Sequence, residues 1–356
     1  MKILVVGDGH SEIHEVAVAE AFRKLGHQVD VFYWNKYFRT NNFVVRQWFR
    51  VQNKFILGPQ ITKMNRDFVA KARQIIPDLI FIYRGTHVTP STISKLKEQI
   101  PNCKVFGYNN DDPFALGHPP YLWRNFIAGV PHYDVVLAYR HRNIDQLREI
   151  GARRVELLRS WFVPWIHNPV DMTEDDTNLY CCDVVFVGHY EPDQRVALLE
   201  SIVRRGWHLR LFGPGYDWDP VILRSPELAG QVPVRLVWGE EYNRALCGAR
   251  VALCFLSKLN GDTYTRRCFE IPAARTFMLS EYSDDLASLF REGVDAEFFR
   301  TPEEMIAKIE RYLADEARRQ EVAEAGFRRV NENGHDVISR MRQVLIWVGE
   351  IQEYAI

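Results

Sequence analysis

Two α/β halves, each built on a parallel sheet, followed by a helical tail: this is the fold class that the sequence predicts. Three observations carry the prediction. Short apolar runs alternate with amphipathic helical patterns up to about residue 167, a polar acidic segment interrupts them, and the alternation then restarts. Strands alternating with helices argue for βαβ units and parallel sheets. At 356 residues the chain is also longer than one hydrophobic core usually serves, so two domains are expected.

In the first half, residues 3–6, 29–33, 79–83, 104–108 and 135–138 read as buried strands. Helical patterns fall between them at 12–25, 61–76, 90–99 and 142–150. Residues 168–178 are polar, acidic and non-periodic, which predicts a linker. Beyond it, 183–188, 209–212, 234–237, 249–256 and 277–280 are expected strands, and 193–205, 242–247, 265–273 and 284–290 expected helices. The tail is helical in character from 302 to 354. The expected layout is therefore a Rossmann-like domain over 1–167, a linker over 168–178, a second Rossmann-like domain over 179–335, and a terminal helix over 336–356 that crosses back onto the first. A crevice between two such halves is the default binding site.

Composition narrows the function classes. The formal net charge is −1, so nothing drives the chain as a whole toward nucleic acid. The six cysteines show no C-x-x-C spacing, and Cys181 and Cys182 are adjacent, so reduced thiols in a cytoplasmic protein are the default reading. The sequence opens directly on a strand, without a signal-peptide layout. No apolar run approaches the ~20 residues needed to span a bilayer, so any membrane role is expected to be peripheral.

Several motifs lie where chemistry concentrates, after the ends of strands. Gly7-Asp8-Gly9-His10-Ser11 follows the first strand and opens a helix. Its N–H groups suit a phosphate or hydroxyl, although a tight turn needs the same small residues. The G-x-G-x-x-G pattern is absent, because position 12 is Glu, and no acid ends the second strand, so a nicotinamide or flavin site is not expected. Asn109-Asn110-Asp111-Asp112-Pro113 follows the fourth strand, with His118 nearby. Adjacent carboxylates diverge, which disfavours a metal site. Acceptor hydroxyls and a local turn before Pro113 remain the two readings. Gly9, His10, Asn109, Asp111, Asp112 and His118 form the acceptor-side candidates.

From Val31 to Arg66 there is no acidic residue, while Lys36, Arg39, Arg46, Arg50, Lys54, Lys63 and Arg66 alternate with aromatics. Within 43–55, Val44 and Val45, Trp48, Val51 and Phe55 share one helical face, and Arg46, Arg50 and Lys54 its flank. Peripheral contact of residues 36–54 with an anionic membrane surface, or contact with a phosphate-bearing acceptor, is one reading. A helix packed on the first domain with a solvated basic edge is the other.

In the second half, Gly188 follows a strand and Arg195 falls in the first turn of the next helix. Arg with a helix N-terminus suits a diphosphate, and a solvated helical Arg fits the same spacing. Gly213-Pro214-Gly215 ends the following strand. The densest cluster is Asn260 to Pro272, with Asp262, Tyr264, Thr265, Arg266, Arg267 and Glu270, just past a strand that carries Lys258 beyond its end. Carboxylates accept from paired sugar hydroxyls, and an adjacent Lys or Arg neutralises phosphate. Together these suit a sugar nucleotide.

These residues resemble the CgeB-like (spore-maturation type) glycosyltransferases of the GT-B superfamily. The resemblance rests on residues 183–188, 256–262, 263–272, 278–282 and 297–304, and more loosely on 109–113. It implies a GT-B fold and transfer of a sugar from a nucleotide-diphosphate donor. In retaining members two acids spaced E-x7-E flank the donor, the second on the ribose and the first near the transferred sugar. Asp262 and Glu270 have that spacing, with Asp replacing the first Glu. The resemblance matches Arg195 and Lys258 to the cations that neutralise the diphosphate, so that no metal or other cofactor is required. It also marks a departure at Ala273-Ala274-Arg275-Thr276, where similar sequences often carry a Gly pair. The competing expectations are a non-catalytic sugar-nucleotide-binding protein of the same fold, and a GT-B-shaped epimerase or phosphorylase.

Overall fold

The computed structural model describes residues 1–353. They form two compact units: residues 1–160 with the C-terminal helix Val337–Glu353, and residues 161–336.

The first unit holds strands β1 (Lys2–Gly7), β2 (Gln28–Tyr33), β3 (Leu79–Tyr83), β4 (Lys104–Asn109), β5 (Val135–Ala138) and β6 (Val155–Leu157). They pair in parallel in the order β2-β1-β3-β4-β5-β6. Helices α1 (Glu15–Lys24), α2 (Phe43–Phe55), α3 (Pro59–Ile75), α4 (Pro90–Gln99), α5 (Arg124–Gly129) and α6 (His141–Glu149) connect them. The continuous apolar runs of β1 and β3 are buried on both faces, as a parallel sheet covered by helices requires. Phe32, Phe68, Ile82, Val105 and Tyr133 lie in that core.

The second unit repeats the scheme with β7 (Cys182–Val187), β8 (Leu209–Phe212), β9 (Ala249–Cys254), β10 (Met278–Glu281) and β11 (Glu297–Phe299), in the parallel order β11-β10-β9-β7-β8. Its helices are α7 (Glu174–Tyr180), α8 (Arg195–Arg204), α9 (Gly215–Ile222), α10 (Gly239–Cys247), α11 (Arg267–Ala273), α12 (Asp284–Leu289), α13 (Pro302–Ala314) and α14 (Glu316–Glu332). The last helix, α15 (Val337–Glu353), packs against α1. Residues 354–356 of the expected terminal helix lie outside the described residues.

The α/β class with two parallel sheets and a helical C-terminus is thus as predicted, with three local differences. The stretch 168–178 is not a featureless linker. Thr173 accepts from the Asp176 N–H while Asp176 accepts from the Thr173 N–H, a capping box that starts α7. The acids that look like a solvated linker are the negative first turn of a helix, where they favour its dipole. The units divide at Ser160 and Trp161 instead. Residues 234–237 do not form a strand, since only Arg235 bridges to Phe212 beyond the sheet edge. Finally, β6 and β11 span three residues each, too short to show a period in sequence.

Candidate functional site

In an open α/β sheet the ligand crevice lies beyond the carboxyl ends of the strands where the strand order reverses. In the second unit that point is between β7 and β9. Gly188 follows β7 there, and Phe255 follows β9. The Arg267 side chain, from the start of α11, reaches both. A Cβ added to Gly188 would lie 3.1 Å from Nη1 of Arg267, and Nη2 approaches the Phe255 carbonyl at 3.5 Å. Nε of Arg267 is buried without a hydrogen-bond partner.

One helical turn along, Glu270 is 3% exposed. Its Oε2 accepts from the Tyr242 hydroxyl at 2.6 Å. Burial and the Glu270 carboxylate together push the Tyr242 phenol well above its usual range, so it remains a donor. The other oxygen, Oε1, is buried and unbonded. Arg266 Nε at 3.9 Å and His167 Nε2 at 3.6 Å stand beyond hydrogen-bonding distance of it. His167 accepts from the Val163 N–H through Nδ1, and burial lowers its pKa, so its ring is neutral. The thiols of Cys254 and Cys268, 3.6 Å apart, lie beside Thr265.

The remaining donor-side candidates separate. Arg195 is not available to a diphosphate. It is 3% exposed, and Asp193 takes its Nε and Nη2 in a two-pronged pair, each bond 2.7 Å, while Nη1 donates to the His189 carbonyl at 2.6 Å. Its charge is already met by Asp193, and its geometry ties the β7–α8 loop together. Tyr264 is fully buried against Phe269, and Thr265 is buried too, so both support the site from behind. Lys258 is exposed past the end of β9, with Nζ 3.1 Å from Glu281. Asp262 is half-buried in the same turn, its N–H bonded to the Ser257 carbonyl at 2.8 Å. Gly213 serves packing: a Cβ there would lie 2.2 Å from the Gly188 carbonyl oxygen. Arg275, in the segment where a Gly pair is expected from the resemblance, takes φ +56°, the left-handed backbone that a glycine would adopt freely.

In the first unit the order reverses between β1 and β3. The glycine loop after β1 is closed on itself, because the buried Glu15 carboxylate accepts the Gly9 N–H. The expected anion seat is therefore filled by the protein. His10 is largely exposed, with Nδ1 2.9 Å from Asp8, and that hydrogen bond raises its pKa. Arg84, at φ +65° after β3, pairs with Asp111 at 2.7 Å. Asp112 is not an acceptor-side group. It is 1% exposed and accepts from Asn143 at 2.9 Å, Phe114 N–H at 3.0 Å and Arg142, anchoring the β4 loop to α6. Asn109 accepts from the Asp111 N–H at 3.1 Å and keeps a buried, unbonded Nδ2. His118 packs edge-on to Trp123. The turn before Pro113 thus uses these residues largely for local bonding.

Sequence reasoning counts Arg267 in the polar cluster without giving it a role, although its i−3 spacing to Glu270 puts both on one helix face. Tyr242 carries no local signal at all, because it meets Glu270 from a separate helix.

The model of a family described as "Glycosyl transferase-like" matches residues 194–346. No curated protein matches the sequence significantly. Among solved structures, sucrose-phosphate synthase from Thermosynechococcus elongatus aligns with TM-score 0.71 and 13% identity, over 99% of this chain and 100% of that one. HepE of Anabaena, solved in complex with UDP-glucose, aligns with TM-score 0.67 and 11% identity, over 98% and 100%. Trehalose 6-phosphate synthase from Burkholderia multivorans aligns with TM-score 0.63 and 12% identity, over 100% of both chains. At such identities the likeness is one of fold. Residues 194–346 are thus similar to a glycosyl transferase-like family, and the two parallel sheets match the fold of GT-B glycosyltransferases.

Proposed function

We propose that the protein transfers a sugar from a nucleotide-diphosphate donor to a hydroxyl acceptor, with retention and without a metal. One observation carries the reading. At the β7/β9 reversal, α11 presents a buried guanidinium N–H of Arg267 and a buried carboxylate oxygen of Glu270, both without hydrogen-bond partners. Buried polar groups are nearly always satisfied, so a donor and an acceptor left open one helical turn apart point to a ligand that supplies both partners. A sugar nucleotide does: its diphosphate accepts and its ribose hydroxyls donate. The glycosyl transferase-like match and the UDP-glucose complex of HepE support the same reading.

As the bond between the anomeric carbon and the diphosphate breaks, negative charge builds on the departing phosphate oxygen. Arg267 from within and Lys258 from the rim stabilise that charge, which is the work a metal would otherwise do. Glu270 holds the ribose, and Asp262 stands toward the sugar. Retention rests on the spacing of these two acids. The acceptor oxygen bonds the anomeric carbon on the face that the diphosphate leaves, and the departing phosphate oxygen takes the acceptor's proton, so no dedicated general base is required and His10 and His118 carry no assigned proton transfer. The CgeB-like assignment, with a donor sugar and acceptor of its own, belongs to this proposal. Arg195, held by Asp193, has no part in it.

The test is a thermal-shift screen against UDP, GDP, dTDP, CDP and ADP, with and without magnesium. A shift with one nucleotide, the same in both conditions and lost in Glu270→Ala, is the expected result. A cooperatively melting protein that responds to none of them would sink the reading. The committed Arg195 favours one rival, a non-catalytic sugar-nucleotide-binding protein. Donor hydrolysis or transfer excludes it, while nucleotide binding without either supports it.

A further inference from the structure

In α2 the usual inside and outside are exchanged. At about 100° per residue, Val44, Trp48, Val51 and Phe55 fall within about 60° of one another. All four face solvent, at 74, 55, 46 and 41% exposure. The residue this helix buries is instead Gln52, which accepts from the Gln60 N–H at 2.9 Å. Asn53 bonds His87 at 2.8 Å, and Arg124 donates to the Phe55 carbonyl at 2.9 Å. The Asn42 side chain caps the first turn. Polar contacts thus hold the helix in place, and of the apolar stripe only Phe55, among the described residues, packs a ring against the unit, 5.2 Å from that of Tyr121. The helix is thus packed on the first unit with its basic edge in solvent, and its apolar stripe is largely in solvent as well.

A contiguous exposed apolar stripe marks an interaction surface. Its flank identifies the partner. Arg46, Arg50 and Lys54 line one side, and among the described residues no carboxylate forms a salt bridge with any of them. No acid occurs from Val31 to Arg66. A second copy docked antiparallel through this face about a twofold axis would set cations against cations. Thirteen residues span about 20 Å, short of the ~30 Å hydrocarbon layer. Among the described residues no helix is long and apolar enough to cross a membrane.

We propose that α2 lies in the plane of an anionic lipid bilayer, with Val44, Trp48, Val51 and Phe55 among the acyl chains and Arg46, Arg50 and Lys54 on the lipid phosphates. Trp and Phe suit the boundary depth, and the long cationic side chains reach back to the headgroups. This surface belongs to the first unit alone, and it stands whether or not the protein transfers sugar.

The test is co-sedimentation of the full chain with vesicles of phosphatidylcholine, and of phosphatidylcholine mixed with phosphatidylglycerol. Binding is expected to the mixed vesicles only, and to weaken as salt is raised. Val44→Glu/Trp48→Glu and, separately, Arg46→Gln/Arg50→Gln/Lys54→Gln are each expected to lower the bound fraction about tenfold. All these side chains are exposed, so unchanged melting curves show that the variants fold. No binding to the mixed vesicles overturns the proposal, as does equal binding by the apolar double variant. A concentration-dependent dimer that Val44→Glu/Trp48→Glu dissolves, with no vesicle binding, would assign the stripe to a second copy instead.

Discussion

Arg195 and Arg267 flank the same residue, Phe255, and use their guanidinium groups in opposite ways. Arg195 is closed by Asp193 and the His189 carbonyl, whereas Arg267 keeps a buried N–H open. Replacing Arg195 with Ala leaves Asp193 without its partner and is expected to cost about 3 kcal/mol of stability. Nucleotide affinity per folded molecule should hold. Urea unfolding and titration calorimetry separate the two effects, and a large affinity loss at full stability would return Arg195 to the site. Arg267→Lys keeps the charge but loses the planar fork, so nucleotide binding should weaken about tenfold with little change in melting temperature. Gly213→Ala places a methyl against the Gly188 backbone carbonyl, which cannot yield as a flexible side chain does. A loss of more than about 2 kcal/mol in denaturant unfolding is expected.

At the scale of elements, the acidic segment before β7 shows how composition misleads. Glu174, Asp175 and Asp176 look solvated and linker-like until Thr173 is seen to cap them. Thr173→Ala removes one half of the capping box and should cost about 1 kcal/mol, seen as a lower urea midpoint at unchanged slope. The central helices were legible because their apolar positions repeat at helical spacing and their ends carry the usual signals, such as Pro at the start of α4 and α13. The α2 periodicity was equally legible, but periodicity names a face without saying what covers it.

At the scale of the molecule, the first unit carries a built-in acid sensitivity. Burial pushes His87 from its usual 6.5 down to about 4. Folded, its ring stays neutral between Thr86 and Asn53 and stacks on Trp34, whereas the unfolded chain takes up a proton below about 6.5. Stability is therefore flat above that value and falls as pH drops from about 6.5 toward 4, by about 3 kcal/mol from this residue. His167, also lowered by burial, acts with the same sign in the second unit. Urea unfolding across this window should show a shallower slope in His87→Gln than in the parent. Parallel curves would mean that His87 does not titrate differently in the two states.

The sequence by itself determined the α/β class, the parallel sheets and the strand ends after which chemistry would gather. Those follow from periodicity and turn residues, which are local. It also singled out Glu270, through its spacing to Asp262 in the turn before α11. Only the tertiary structure decided which polar groups are already satisfied. Gly9 lost its N–H to Glu15, Asp112 was taken by Arg142 and Asn143, and Arg195 by Asp193, while Tyr242 reached Glu270 from another helix. Whether a donor or acceptor is left for a ligand depends on partners brought together by packing, and no spacing along one segment contains that information.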